Sequence, residues 1–208
     1  VFGKGSLRDF NLVYGKMILL DSYDKEGNKR KFPYTKLNTG KVFRVKSPVS
    51  STAAKAAKYI SESFGNNTGN SPSFVSDEEI QEKLNLTFCS IGGYNNFKTV
   101  DVLDSEENNL YKFKDEKTIV DVEDESIEFE INNNYDYGII LKIIPEAFPD
   151  KVWIMVAGIG ESATSGAAWY LSNKWKEIYK LHKNKSFGIV VKVKNGQDES
   201  VKVVARKG

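Results

Sequence analysis

The chain has little of the residue types that most often build reactive centres. Its 208 residues include one cysteine, one histidine and two methionines. Cys89 cannot form an internal disulfide, which favours a reducing compartment, and its apolar surroundings favour a small buried hydrophobe over a nucleophile. His182 has no cysteine or acidic companion at ligand spacing, so the usual zinc sets and catalytic triads cannot be assembled. We therefore expect neither a bound metal nor a required cofactor.

Long apolar runs and basic runs are also missing. No stretch approaches the roughly 20 apolar residues of a membrane helix, which predicts a cytoplasmic protein without a membrane partner. Lysine and arginine are scattered rather than clustered with aromatic residues, so no nucleic-acid partner is expected. The net charge is +2, but residues 101–130 hold 12 acidic residues and 3 lysines, a local charge of −9. This region is either a solvated acidic surface or a screen that repels nucleic acid from one face.

The length and the order of predicted elements favour one α/β domain over residues 1–208. Three small strands separated by acidic turns predict an acidic β-hairpin insertion over residues 110–131. The chain begins at Val1 without a methionine, which we interpret as a fragment of a longer protein. A fused effector or regulatory domain and a homodimer are both compatible with this interpretation.

Apolar periodicity predicts helices over 52–64, 76–84, 97–103 and 162–183. Strands are expected over 42–45, 86–91, 137–144, 151–157, 187–193 and 201–205. The six-residue link between the strands at 137–144 and 151–157 is too short for a parallel crossover, so they should pair antiparallel. The last two strands form a predicted hairpin. Together these patterns predict a Rossmann-like three-layer α/β domain with a mixed sheet and an antiparallel β-hairpin insertion.

The chain is organised around the segment 152–171, in which an apolar strand runs through a glycine turn into a helix. Gly158 and Gly160 allow a sharp turn and close approach of the backbone to another group. Ser162, Thr164 and Ser165 are positioned to cap the helix. The segment is either a helix N-terminus that binds an anion or a capped turn that holds nothing.

Two further glycine turns accompany this one. If the three strands before them are parallel neighbours, the turns share one sheet edge, where open α/β sheets bind ligands. Their backbone donors would suit a phosphate- or ribose-bearing ligand. Neither the dinucleotide fingerprint nor the P-loop pattern is complete. The predicted ligand-binding residues are Gly3, Lys4, Gly5, Ser6, Arg8, Gly92, Gly93, Asn95, Asn96, Lys98, Thr99, Gly158, Gly160, Glu161, Ser162 and Thr164.

The run Ser165-Gly166-Ala167-Ala168-Trp169-Tyr170-Leu171 after a strand resembles the strand-turn-helix of nucleoside deoxyribosyltransferase-like and TIR-like domains. The resemblance covers about twenty residues and implies a Rossmann-like fold that binds nucleotides or NAD. Those enzymes carry a glutamate within the helix, where this chain has Ala167 and Ala168. The missing carboxylate shifts the expectation from glycosidic-bond chemistry to binding.

Three functions follow from these observations. The first is a sensor or regulatory domain that binds a nucleotide or a nucleotide derivative. The second is an enzyme that cleaves or transfers at a nucleotide or NAD glycosidic bond, with Glu161 or Asp9 as the working carboxylate. The third is a protein-interaction domain that uses its acidic hairpins and holds no small ligand.

Overall fold

The computed structural model describes residues 10–15 and 49–208, together with the backbone alone of four short strands between them. Those strands form two antiparallel pairs. Ser22–Tyr23 (β2) pairs with Lys29–Arg30 (β3), and Tyr34–Lys36 (β4) pairs with Val42–Arg44 (β5). The strand expected to begin at residue 42 is thus present in the backbone.

A seven-stranded mixed sheet forms the centre of the fold. In spatial order its strands are Gln197–Lys207 (β14), Phe187–Lys194 (β13), Tyr135–Ile143 (β11), Trp153–Gly158 (β12), Thr87–Ile91 (β7), Phe10–Tyr14 (β1) and Ser73–Ser76 (β6). The four strands from β12 to β6 are parallel, whereas β11 is antiparallel to both β12 and β13. The predicted antiparallel pairing of β11 with β12 and the terminal hairpin of β13 and β14 are confirmed.

Different elements cover the two faces of the sheet. The helices Ser51–Thr68 (α1) and Glu161–His182 (α3) pack on one face. The short helix Phe97–Leu103 (α2) and a small antiparallel sheet pack on the other face. The strands of this small sheet are Tyr111–Phe113 (β8), Thr118–Asp121 (β9) and Glu128–Glu130 (β10).

Alternating side chains of the central strands supply both cores, as strand geometry requires. In β12, for example, Ile154 and Val156 face the two long helices, whereas Trp153 and Met155 face the small sheet. The predicted α/β class, with a mixed sheet and an antiparallel insertion, is confirmed. The small sheet takes the place that helices occupy in a fully doubly wound domain.

Three local predictions were wrong in extent by at least four residues at one end. The last strand, predicted over 201–205, begins at Gln197 and ends at Lys207. Residues 76–84 form only a 3₁₀ turn, Asp77–Glu79, because the chain before it belongs to the unpredicted edge strand β6. Helix α1 continues four residues past its predicted end and stops at Gly69, whose φ of 71° is the left-handed conformation typical of a helix C-cap.

Among the helices that the structure describes, none has the apolar length that a bilayer crossing requires.

Candidate functional site

Two of the three glycine turns lie at the same edge of the central sheet. Strands β7 and β12 are parallel neighbours, with Ile91 opposite Val156, and the Gly92 amide donates to the Val156 carbonyl at 3.0 Å. The turns that follow them, at Gly92-Gly93 and at Gly158, are therefore adjacent. The first turn is outside the described residues, and with it Gly3, Lys4, Gly5, Ser6, Arg8 and Asp9.

A cavity of about 540 Å³ opens between these two turns and the small sheet. Its volume falls within the usual range of roughly 300–1,000 Å³ for small-molecule sites. The residues that line this glycine-turn pocket are Gly93, Tyr94, Phe113, Asp115, Glu116, Gly158 and Ile159. The main sheet thus supplies one wall, and the turn between β8 and β9 supplies the other.

The pocket walls combine aromatic rings with negative charge. Tyr94 is 56% exposed, and its ring meets Phe113 edge to face with centroids 5.9 Å apart. The Tyr94 hydroxyl donates to the Phe113 carbonyl at 3.4 Å, which ties the glycine turn to the small sheet. The Asp115 carboxylate accepts from the Lys117 amide at 2.8 Å, and this bond lowers the pKa of Asp115. Glu116 is exposed beside it.

The glycines at the pocket differ in how strictly they are required. A Cβ on Gly158 would lie 2.3 Å from the Thr164 amide nitrogen, so close packing of α3 on β12 excludes any side chain there. Gly92 has a φ of 99°, which disfavours other residues. A Cβ on Gly93 would meet nothing within 4 Å. Position 93 can therefore carry a side chain that projects into open space.

An internal carboxylate occupies the N-terminus of α3. Asp136 Oδ1 accepts from the Gly160 amide at 3.0 Å, and Oδ2 accepts from the Ala163 amide at 2.8 Å. Burial raises the pKa of Asp136, although these bonds and one from the Tyr137 amide favour the ionised form. The anion that a helix N-terminus attracts is here supplied by the protein itself.

The prediction that hydroxyl side chains cap α3 was wrong, because Gly160 is the N-cap and no side chain of the first turn caps the helix. Thr164 Oγ1 instead accepts from the Gly158 amide and donates to the Gly160 carbonyl. Ser162 Oγ accepts from the Gly196 amide in the β13–β14 turn. The Ser165 hydroxyl donates to Asp198 at 2.7 Å. All three hydroxyls tie α3 to neighbouring strands or turns.

The residues predicted to bind at α2 also form internal bonds. Asn96 caps the helix and donates to the carbonyls of Val13 and Ile91. Lys98 is fully buried, and its ammonium donates to two main-chain carbonyls and to Asp101 at 2.7 Å. The Thr99 hydroxyl donates to the Gly92 carbonyl at 2.7 Å. These side chains hold the glycine turn in place and do not line the pocket.

The remaining predicted residues lie apart from the pocket lining. Glu161 is exposed on the first turn of α3, and Asn95 is exposed in the turn before α2. The main chain of Asn95 packs closely on Gly15. A Cβ on Gly15 would lie 2.3 Å from the carbonyl oxygen of Asn95. Of the described residues in the predicted set, the structure brings Gly93 and Gly158 together at the pocket.

Sequence reasoning missed the other pocket residues. Tyr94 could have been recognised from the sequence, because an aromatic residue within the turn Gly-Gly-Tyr-Asn-Asn does not belong to the apolar face of a helix or strand. Asp115 and Glu116 could not, because they lie in an acidic hairpin whose position over the sheet edge depends on tertiary packing. Asp136 was equally hidden, since its partners at Gly160 and Ala163 lie 24 and 27 residues away.

Two further side chains of the described chain, Asp198 and Cys89, lie buried outside the pocket. Asp198 is almost fully buried and accepts from Lys55, Tyr59 and Ser165, which links α1, α3 and β14. Cys89 is fully buried, and burial raises the pKa of its thiol, as expected for a core residue. In the part of the chain that the structure describes, no three His, Cys, Asp or Glu side chains cluster as a metal site would require.

Comparison with known proteins gives no relative for this chain: no family model, no curated protein and no solved structure matches it.

Proposed function

We propose that this domain binds a small nucleoside-bearing ligand in the glycine-turn pocket and acts as a binding module. One observation carries the proposal. Gly93 and Gly158 follow adjacent parallel strands and line one cavity together with Tyr94, Phe113 and two carboxylates. The edge beyond the carboxyl ends of parallel strands is the usual ligand position in open α/β sheets.

The pocket chemistry suits a base and a sugar. The half-exposed ring of Tyr94 offers a face on which a base can stack. Carboxylates such as Asp115 and Glu116 accept hydrogen bonds from ribose hydroxyls. Gly93 allows the ligand to approach the backbone closely, because the place of its missing Cβ is open.

The same chemistry disfavours a phosphate inside this pocket. The Asp136 carboxylate occupies the first amides of α3, and Asn96 and Asp77 accept from the first amides of α2. Two further carboxylates line the opposite wall. We therefore propose that the base and ribose enter the pocket and that any phosphate points away from it. Of the two alternatives that the sequence left open for the turns, a phosphate-bearing or a ribose-bearing ligand, this proposal takes the second.

A binding role is favoured over glycosidic-bond catalysis. Glu161 is exposed and does not line the pocket, and the other candidate carboxylate, Asp9, lies outside the described residues. Enzymatic attack or protonation requires a carboxylate within hydrogen-bond reach of the scissile bond. Asp115 and Glu116 lie on an exposed turn, where they are suited to ribose recognition.

The test is a thermal-unfolding screen with four nucleosides, their 5′-monophosphates and NAD, followed by chromatography of the recovered ligand. A nucleoside at 100 times its Kd should stabilise the domain by about 2.7 kcal/mol. We expect a nucleoside to bind at least as tightly as its monophosphate and to be recovered intact. Binding that requires the phosphate, or conversion of the ligand, would contradict the proposal. An unchanged melting temperature throughout would favour the interaction-domain alternative.

A further inference from the structure

Three lysines line a small cavity at the β13–β14 hairpin. Lys192 of β13 lies directly opposite Lys202 of β14, and Lys194 follows two residues along β13. Together with Tyr135 of β11 and Ser200, they enclose about 120 Å³. The Lys192 ammonium lies 3.9 Å from the centre of the Tyr135 ring, which holds it over the aromatic face.

These lysines have no acidic partner among the described residues, which they share with isolated exposed lysines such as Lys180 and Lys185, and what sets them apart is that they line one cavity. Lys112, Lys114 and Lys207 each form an ion pair. Within the described ranges, no acidic side chain pairs with Lys192, Lys194 or Lys202, and none lines the cavity. The carboxylate of nearby Glu199 interacts electrostatically with Lys55. Lys55 belongs to helix α1, on the opposite face of the sheet.

An unpaired cluster of this kind carries a cost. Like charges directly opposite each other on neighbouring strands destabilise a sheet, and Lys192 and Lys202 are such a pair. An anion between them would remove the repulsion and replace it with charge-assisted hydrogen bonds. An anion bound by these lysines would therefore stabilise the domain.

The size of the cavity and the positive charge of three of its lining residues indicate the class of ligand. About 120 Å³ is well below the range of roughly 300–1,000 Å³ typical of drug-sized ligands. Up to three ammonium groups can donate around one compact anion with several acceptor oxygens. We propose that Lys192, Lys194 and Lys202 form a site for a phosphate-sized anion, either free phosphate or the phosphoryl group of a larger ligand.

This anion site shares no residue with the glycine-turn pocket and does not depend on the function proposed for it. Both lie toward the same edge of the sheet, because Gly138 of β11 is opposite both Gly158 and Val191. Tyr135 and the small sheet belong to the same face, since Tyr137, two residues on, packs against the small-sheet core.

The test is thermal unfolding in inorganic phosphate against chloride at matched ionic strength, with the double variant Lys192→Gln/Lys202→Gln. The control is Lys180→Gln/Lys185→Gln, which removes two exposed lysines near the end of α3. We expect saturable stabilisation of the wild type and control, and a half-saturating phosphate concentration at least about tenfold higher in the double variant. The same response in all three proteins, or no response to phosphate in any, would overturn the site.

A second arm separates the two sources of the anion. Adenosine 5′-monophosphate and adenosine are compared on the same three proteins. If the phosphoryl group of a larger ligand is the occupant, the monophosphate binds more weakly to the Lys192→Gln/Lys202→Gln variant while adenosine is unaffected. If free phosphate is the occupant, inorganic phosphate alone shows the difference.

Discussion

Asp136 and Ala163 join the start of strand β11 to the first turn of helix α3, with the carboxylate Oδ2 2.8 Å from the Ala163 amide nitrogen. The other oxygen accepts from Gly160, so one buried side chain satisfies two of the free amides of the helix. A Cβ on Gly160 would lie 2.7 Å from this carboxylate, which accounts for a glycine at the helix start. The Asp136 carboxylate is therefore the anion at the start of α3 and holds the strand-turn-helix unit together.

Replacing Asp136 with asparagine should destabilise the fold by about 1–3 kcal/mol. The amide group has nearly the same shape, but its NH₂ would face a main-chain N–H and leave it unsatisfied. Urea unfolding measures the change. Glu161→Gln, an exposed position on the same helix turn, is the control and should stay within about 0.5 kcal/mol of the wild type. Equal stability of the two variants would show that Asp136 does not hold α3.

The two glycines that line the pocket should respond oppositely to alanine. Gly158→Ala places a Cβ 2.3 Å from the Thr164 nitrogen and should cost about 1–3 kcal/mol or more. Gly93→Ala meets no atom within 4 Å and should be neutral or stabilise by up to about 1 kcal/mol, because it restricts the unfolded chain. The free energies of unfolding of both variants, measured in urea, test this prediction. Similar losses at both positions would contradict the geometry of the turn.

Lys142 should make stability depend on pH in the alkaline range. Its side chain is buried and donates to the Lys183 carbonyl at the end of α3, and burial lowers its pKa to about 8 from an ordinary 10.5. Between these values the unfolded chain binds more protons, so stability rises with pH. Relative to Lys142→Met, the wild type should gain up to about 3 kcal/mol from pH 7 to pH 10.5.

The control for this measurement is Lys180→Met, which removes an exposed lysine of helix α3. Its stability should remain parallel to that of the wild type over the whole range. A parallel curve for Lys142→Met as well would mean that Lys142 keeps its ordinary pKa in the folded protein.

Asp198 should govern stability at the acid end. Burial alone would raise its pKa, but hydrogen bonds from Lys55, Ser165 and Tyr59 outweigh this and hold the pKa below its ordinary 3.8. Its contribution is therefore present above pH 3.8 and is lost as pH falls through the lower, folded pKa. Asp198→Asn should cost about 1–3 kcal/mol at pH 7. Unfolding measured down to pH 2 should show this difference shrinking, and a constant difference would contradict the assignment.

Much of the fold follows from local sequence patterns. The helix at 97–103 has its predicted bounds, α3 is displaced by one residue at each end, and the terminal hairpin was recognised from two β-branched runs across an Asn-Gly turn. The antiparallel pairing of β11 with β12 followed from the shortness of their link. Strand β6 was missed because its four residues, Ser-Phe-Val-Ser, give too little alternation to recognise.

The site was less accessible to sequence reasoning. The sequence predicted that three glycine turns share one edge if their strands are parallel neighbours, and two of them do, whereas the first lies outside the described residues. The sequence could not indicate that Asp136 would occupy the helix amides, or that Lys98 would be buried against main-chain carbonyls. Those contacts arise from tertiary packing between distant segments. The strongest local indication of an anion site was therefore the start of α3, where the Asp136 carboxylate already occupies the free amides.

The most direct measurement is calorimetric titration of adenosine, guanosine, cytidine and uridine into the wild type, Gly93→Val and Tyr94→Ala. Valine at position 93 fills open pocket space, and loss of the Tyr94 ring removes a stacking surface that contributes about 1–3 kcal/mol per base. Tyr179→Ala, at another exposed tyrosine, is the control. We predict that at least one nucleoside binds the wild type and the control equally, with a Kd at least about tenfold higher in both pocket variants. Equal affinity across all four proteins, or no binding of any nucleoside to the wild type, would contradict a nucleoside site between the glycine turns.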